Sequence, residues 1–326
     1  MSEYVVSHRT VDPLLRADQL HEDFCIGYCT VLRDGALWRM WYEAYDRAYR
    51  DDADGFLCYA ESRDGEHWYK PALGLIEYAG SRANNILLDG RNVGGVHGSN
   101  VFIDADALAA ERFKMVCVSW REATPRCPQP GWWVFGAVSP DGIHWQRRQE
   151  PLLCANSDTQ TVCFRDGDRY RLYVRLWSEG LFQGKRLIGY TESSIFGDFP
   201  PPRPILAPDE LDPPHLHFYN SAAAKAGEGL YLMFPSAFYV GEDVLLPHLA
   251  VSADGCSFRR VERKPFLMLG NGFDSRGIYV APGLIPTGRP NRWWVYYLGT
   301  PIGHDQNRPQ QASYVGGVGR FMLTVR

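Results

Sequence analysis

The chain has 326 residues, is 45% hydrophobic and 13% aromatic, and carries a net charge of −4 with a pI near 6.1. That balance argues against a nucleic-acid surface, and no apolar run is long enough to cross a bilayer as a helix. Thirty-two Gly and 22 Pro suit many short strands joined by turns.

The first residues show no charged-then-apolar signal pattern, and Tyr4 to His8 alternates weakly, as a lone strand would. A first unit follows with strands over Phe24–Leu32, Leu37–Tyr42 and Phe56–Ser62, with Trp68 opening a fourth. The second has Asn100–Ile103, Arg112–Ser119 and Trp132–Val138, and the third Thr159–Phe164, Arg169–Arg175 and Leu187–Tyr190. The fourth has Tyr219–Lys225, Gly229–Phe234 and His248–Val251, and the fifth Gly277–Ala281, Arg292–Leu298 and Gly317–Val325. No helical pattern of useful length competes.

One short stretch recurs through these units. It reads Ala60-Glu-Ser-Arg-Asp64-Gly65-Glu-His-Trp68, then Ala137-Val-Ser-Pro-Asp141-Gly142-Ile-His-Trp145, then Ala250-Val-Ser-Ala-Asp254-Gly255-Cys-Ser-Phe258, with a looser copy over Thr191–Phe199. Asp-Gly between apolar runs marks a tight turn, because Gly accepts positive φ, and the aromatic three residues on starts the returning strand. Recurrence of one such unit predicts a single all-β domain, a five-bladed β-propeller with four antiparallel strands per blade. The fifth unit supplies three strands, so the N-terminal strand is expected to complete that blade and remove two open edges. A β-sandwich would not explain the recurrence.

Eight cysteines lie mostly in strand-like runs, and none forms a C-x-x-C pair. Reduced, buried thiols and a cytoplasmic location are expected, without a zinc or redox role for the cysteines.

In an antiparallel blade the start of the innermost strand and the end of the second lie on one face near the axis. Inner-strand starts place Glu22, Asp23, His97, Asn100, Asp158, Gln160, His217, Tyr219, Asn220, Asp274 and Arg276 there. Second-strand ends add Glu43, Arg121, Arg175, Ser236 and His304, and Trp41, Trp120 and Trp177 lie nearby as flat faces for sugar C–H groups. Carboxyl groups gathered on one face can divide acid and base roles, one protonated and one ionised. An Asp before a strand also serves as a turn residue, an Arg and a Glu as an inter-blade ion pair, and a Trp as packing.

The chain resembles the five-bladed propeller glycosidases, the invertase, levansucrase, arabinanase and β-xylosidase superfamily. The resemblance rests on the Ser-x-Asp-Gly-x-x-Trp hairpins, Asn100-Val-Phe-Ile-Asp104 followed by Glu111-Arg-Phe-Lys-Met-Val116, Asp158-Thr-Gln160, Phe218-Tyr219-Asn220 and Phe273-Asp274-Ser275. It implies a glycoside hydrolase acting on a small glycoside or oligosaccharide, with no cofactor required beyond a structural cation allowed in the channel. Matched by position, Asp23 or Glu22 takes the nucleophile or base role on the first blade and Asp158 the acid role on the third. The second blade has Ser99 and Asn100 where the family's stabilising Asp falls, so Asp274 or Glu43 is the candidate to replace it. Two alternatives stay open: a carbohydrate-binding propeller without turnover, and a metal enzyme using His97 and His217.

Overall fold

The three Asp-Gly repeats fold into the same turn. Gly65, Gly142 and Gly255 have φ of +74°, +74° and +76°, the left-handed region that a side chain would strain. Asp64, Asp141 and Asp254 each accept two following backbone N–H groups at 2.7–2.8 Å, and Ser62, Ser139 and Ser252 each accept the glycine N–H at 2.8–2.9 Å. Each turn also latches to the preceding blade. Trp41 Nε1 donates to the Gly142 carbonyl at 2.7 Å, Tyr173 Oη to that of Gly255 at 2.6 Å, and Tyr296 Oη to that of Gly65 at 2.6 Å. Arg39 and Arg171 donate to the carbonyls of Asp141 and Asp254 beside them. The repeat therefore turns the chain and also ties neighbouring blades together.

The computed structural model describes residues 2–305 and 316–326. They form an all-β propeller of antiparallel blades, in agreement with the sequence. The first blade orders Cys25–Asp34, Leu37–Tyr45, Phe56–Ser62 and Ile86–Asp89; the second His97–Ile103, Phe113–Arg121, Gly131–Ser139 and Gln146–Arg147; the third Val162–Asp166, Arg169–Trp177, Arg186–Ser193 and Arg203–Leu206. Trp68 was expected to open the fourth strand of the first blade. Its neighbour Tyr69 makes a single bridge to Glu61, the chain loops out, and the strand resumes only at Ile86.

The fourth blade is bent. Its inner strand divides into Leu216–Phe218 and Ala224–Gly227, and its second into Leu230–Met233 and Ser236–Tyr239. Ala222 sits at φ +44°, and Pro235 contributes no N–H to the ladder. The upper part of this blade continues through Val244–Pro247, which meets Gly277–Val280 of the fifth in a parallel contact at Leu245 and Gly277. The fifth blade closes the ring as expected: Tyr4–Ser7 pairs antiparallel with Gly317–Val325, Tyr4 opposite Val325.

Cysteine usage differs from the expectation. Cys127 and Cys154 form a disulfide between the loop after the second strand of the second blade and the approach to the third. Cys29, Cys58, Cys117 and Cys163 are buried free thiols and Cys256 a half-buried one, and Cys25 is buried as well. The reduced-thiol argument for a cytoplasmic location therefore loses its footing, because stable disulfides belong to oxidising compartments.

Candidate active site

One mouth of the channel holds a cavity of about 90 Å³ lined from the first, second, fourth and fifth blades. Glu43 comes from the end of the second strand of the first blade and is 1% exposed. Its Oε2 accepts from Tyr45 Oη at 2.7 Å and its Oε1 from the Ser99 N–H at 3.1 Å. His97, which begins the inner strand of the second blade, places Nδ1 3.3 Å from Glu43 Oε2 and Nε2 3.8 Å from Asp52 Oδ2. Burial alone would disfavour charge on this imidazole, but Asp52, Glu43 and Asp158 outweigh it and hold the pKa up at about 9. His97 is thus an imidazolium at neutral pH, encircled by carboxylates from three parts of the chain.

Asp158 precedes the inner strand of the third blade, with Oδ1 2.8 Å from Arg175 Nη1. Arg175 is buried and also donates through Nε and Nη2 to the Tyr219 carbonyl at 3.0 and 2.9 Å, its guanidinium 3.8 Å from the centre of the Tyr219 ring. Tyr219 lines the cavity and meets His304 edge-on at 4.4 Å, and His304 Nδ1 is 3.0 Å from Tyr279 Oη. Tyr28 completes this wall, its hydroxyl bonded to Thr159 and its pKa driven up chiefly by burial.

Glu43, His97, Tyr219 and His304 therefore line one cavity, with Asp158 and Arg175 against its wall. Several other candidates sit elsewhere. Asp23 is 41% exposed in its side chain and accepts from the Arg47 N–H at 2.8 Å, outside the cavity lining. Glu22 is fully buried, taking hydrogen bonds from Tyr42 at 2.5 Å and Lys70 at 2.7 Å and two backbone N–H groups. Asp274 is clamped by Arg9 and by Tyr297 Oη, tying the N-terminal segment to the fifth blade. Asn100 bridges blades by accepting from the Cys163 N–H at 2.7 Å, and Asn220 is buried at the break in the fourth blade. Arg121 donates to the carbonyls of Gly94 and Trp120, and Arg276 to that of Glu242.

Among the tryptophans, Trp41 is 1% exposed and spent on the Gly142 latch, so it is packing and not a sugar platform. Trp120 and Trp177 lie on a chain of aromatic contacts that leads away from His97. Trp132 meets His97 at 5.7 Å, Trp120 meets Trp132 at 6.4 Å, and Phe182 bridges Trp120 and Trp177 at 6.4 and 5.7 Å. Phe182 holds φ +58° between Gly180 and Gly184, an unusual conformation for a phenylalanine. Among the described residues no group of three or more His, Cys, Asp or Glu is spaced to hold a metal. His97 is engaged by carboxylates, and His217 Nδ1 faces Arg186 at 3.1 Å, so the two do not converge as ligands.

Sequence reading missed Tyr45, Asp52, Tyr28, Tyr279 and Trp132. Tyr45 carried a signal, since it follows Glu43 by two residues and so shares its face of the strand. Asp52 lies in a loop, where no periodicity points anywhere.

Many solved structures share this architecture. A glycoside hydrolase superposes with a TM-score of 0.67 at 13% identity, over 98% of this chain and 92% of that one. The fold is that of the five-bladed propeller glycoside hydrolases. An N-acetylgalactosamine deacetylase from F. plautii, in complex with blood group B trisaccharide, gives 0.61 at 16% over 96% and 93%. A structure from work on the GH130 family of mannoside phosphorylases, which contains glycoside hydrolases that target β-1,2 mannosidic linkages in Candida mannan, gives 0.60 at 13% over 98% and 93%. No protein-family model and no curated sequence matches the chain.

Proposed function

We propose that the chain is a glycoside hydrolase acting on a small glycoside or the end of an oligosaccharide at the His97 mouth of the channel. The observation that carries this reading is the convergence on His97: Glu43 from the first blade, Asp52 from the loop after it, and Asp158 from the third blade all act on one imidazolium. Glycoside cleavage needs two carboxyl groups either side of the bond. Asp158 takes the proton-donating role once the leaving-group oxygen displaces Arg175 from its Oδ1 and the carboxylate takes up a proton, and Glu43 takes the role that position alone had suggested for Asp23. Glu43 accepts hydrogen bonds at both oxygens from groups that do not move with the substrate, the preorganisation expected of a group facing developing positive charge.

The cavity, at about 90 Å³, is small beside ordinary ligand sites of roughly 300–1,000 Å³, so it suits a terminal ring more than an internal one. Trp120, Phe182 and Trp177, on the aromatic chain leading away from His97, suit the part of the substrate left outside. The relatives' ligands point the same way: one neighbour is described as an RGII complex and another as holding a trisaccharide. The reaction so drawn uses no cofactor.

The test is hydrolysis of aryl glycosides with leaving groups of graded acidity. Asp158→Asn should lower kcat about 10²–10⁴-fold for poor leaving groups, and less for good ones, which need little proton donation. Wild-type turnover in that variant on a poor leaving group would remove Asp158 from the chemistry. Sugar binding with no turnover by the wild type would favour the binding propeller instead.

A further inference from the structure

The structure assigns a second recognition element beside the cavity: Arg186, backed by His217, is placed to hold an oxyanion carried by the bound sugar, a uronate carboxylate or a sugar phosphate. This rests on the reading that the His97 mouth is where the sugar binds, and it makes the substrate an acidic glycoside instead of a neutral one.

Arg186 opens the third strand of the third blade, directly opposite Trp177. Its guanidinium lies 4.6 Å from the Trp177 ring centre, 5.5 Å from that of Tyr219 and 5.8 Å from that of Phe238. These rings fix its position but satisfy none of its N–H groups. Among the described residues its one hydrogen bond is from Nη1 to His217 Nδ1 at 3.1 Å, and Nε is buried without a partner. Arg39 holds Asp34, Arg171 holds Asp166, Arg260 holds Asp212, and Arg175 next door holds Asp158, whereas Arg121 and Arg147, which hold no acid among the described residues, spend their N–H groups on backbone carbonyls. Among the described residues Arg186 has no such counter-charge within ion-pair distance, Asp158 and Asp305 acting on it only from further away.

The surroundings reinforce this. An arginine has no lone pair to offer, so His217 Nδ1 must be the acceptor and its proton must sit on Nε2. His217 is kept neutral by burial together with Arg186, Lys185, Arg175 and His215, which push its pKa down to about 4. Burial and the repulsion of Arg175 likewise lower Arg186. A partly buried guanidinium beside further cations is costly unless an anion joins it. A bound oxyanion would accept from the N–H groups of Arg186 that His217 leaves unused, as guanidinium groups favour, while His217 Nδ1 holds Nη1. Tyr219 is both a wall of the cavity and a ring under Arg186, so the anion and the sugar in the cavity would be one aromatic ring apart.

Calorimetric binding to the full chain tests this with matched sets: the methyl glycosides of glucose, galactose and mannose, the corresponding methyl uronides, and the corresponding 6-phosphates. At least one acid should bind about tenfold or more tightly than its neutral parent, the margin of a hydrogen bond to a charged group. Which acid wins separates the carboxylate from the phosphate. Arg186→Gln should erase that preference while leaving the neutral parent's affinity unchanged, and Arg186→Lys, which keeps charge without the fork, should retain part of it. The His217 imidazole resonance should shift when the preferred acid is added to wild type, a readout that needs no variant to fold. Equal or weaker binding of every acid, including no detectable binding, or a preference that survives Arg186→Gln, overturns the assignment. Because binding and not turnover is read, the assignment stands or falls on these ratios alone, so a failure of the catalytic reading is distinguishable from a failure of this one.

Discussion

The buried imidazolium of His97 should make folding stability depend on pH in a defined window. Its folded pKa of about 9 lies above the ordinary 6.5, so the folded protein holds a proton that the unfolded chain releases. The stabilisation is fully present below about 6.5 and is lost as pH rises through about 9. A shift from 6.5 to about 9, at about 1.4 kcal/mol per unit, amounts to roughly 3 kcal/mol. Removing the proton leaves Glu43, Asp52 and Asp158 facing one another without the cation between them. The perturbation is His97→Gln, which keeps a donor but cannot carry charge. Denaturant unfolding of both proteins from pH 6 to 10 supplies the comparison, because groups common to both cancel in the difference. Wild type should exceed the variant by a constant margin up to about pH 6.5, and the margin should then shrink by roughly 3 kcal/mol towards pH 9–10. Parallel stability curves over that range, or a His97 NMR signal that titrates near 6.5, would refute the reasoning.

Three further predictions concern the scaffold. Gly142→Ala puts a Cβ 2.7 Å from Trp41 Cζ2 at a φ of +74°, and should cost about 1–3 kcal/mol of stability by thermal or denaturant unfolding. Trp41→Phe, which removes the latch hydrogen bond and part of a buried ring, should cost about 1–3 kcal/mol while activity at moderate temperature stays at the wild-type level. The Cys127–Cys154 bridge closes a 27-residue separation, and Cys154→Ser should lower stability by about 3–4 kcal/mol on the loop-entropy account. Wild-type stability of Cys154→Ser under non-reducing conditions would mean that the bridge restrains nothing in the unfolded chain.

The scaffold was legible because its signals are local. A Ser-x-Asp-Gly turn needs only its own residues to form, and the three copies fold alike. Closure by Tyr4–Ser7 was legible because three strands in the last unit leave an edge that something must cover. The break in the fourth blade was not, since Ala222 at positive φ follows from neighbouring blades and not from alanine's own preferences. The site was legible by face and not by residue. Asp23, Asp158 and Asp274 look alike in sequence, each an Asp just before an inner strand. They diverge on partners distant in the chain: Arg47 draws Asp23 to the surface, Arg9 draws Asp274 to the N-terminal segment, and Arg175 keeps Asp158 beside the channel. Nothing in a strand pattern reveals those partners, and Asp52 lay outside any pattern. Likewise the eight cysteines looked uniform until folding brought Cys127 and Cys154 together.

The placement of the chemistry is tested most directly by comparing kcat for Glu43→Gln and Asp23→Asn on one activated aryl glycoside. Glu43 lines the cavity against His97, whereas Asp23 is held at the surface by Arg47. Glu43→Gln should lose activity about 10²–10³-fold, the scale on which removing one preorganised electrostatic group acts, and Asp23→Asn should stay within a few-fold of wild type. Near-wild-type turnover in Glu43→Gln together with collapse in Asp23→Asn would place the reaction away from the His97 mouth and contradict the account.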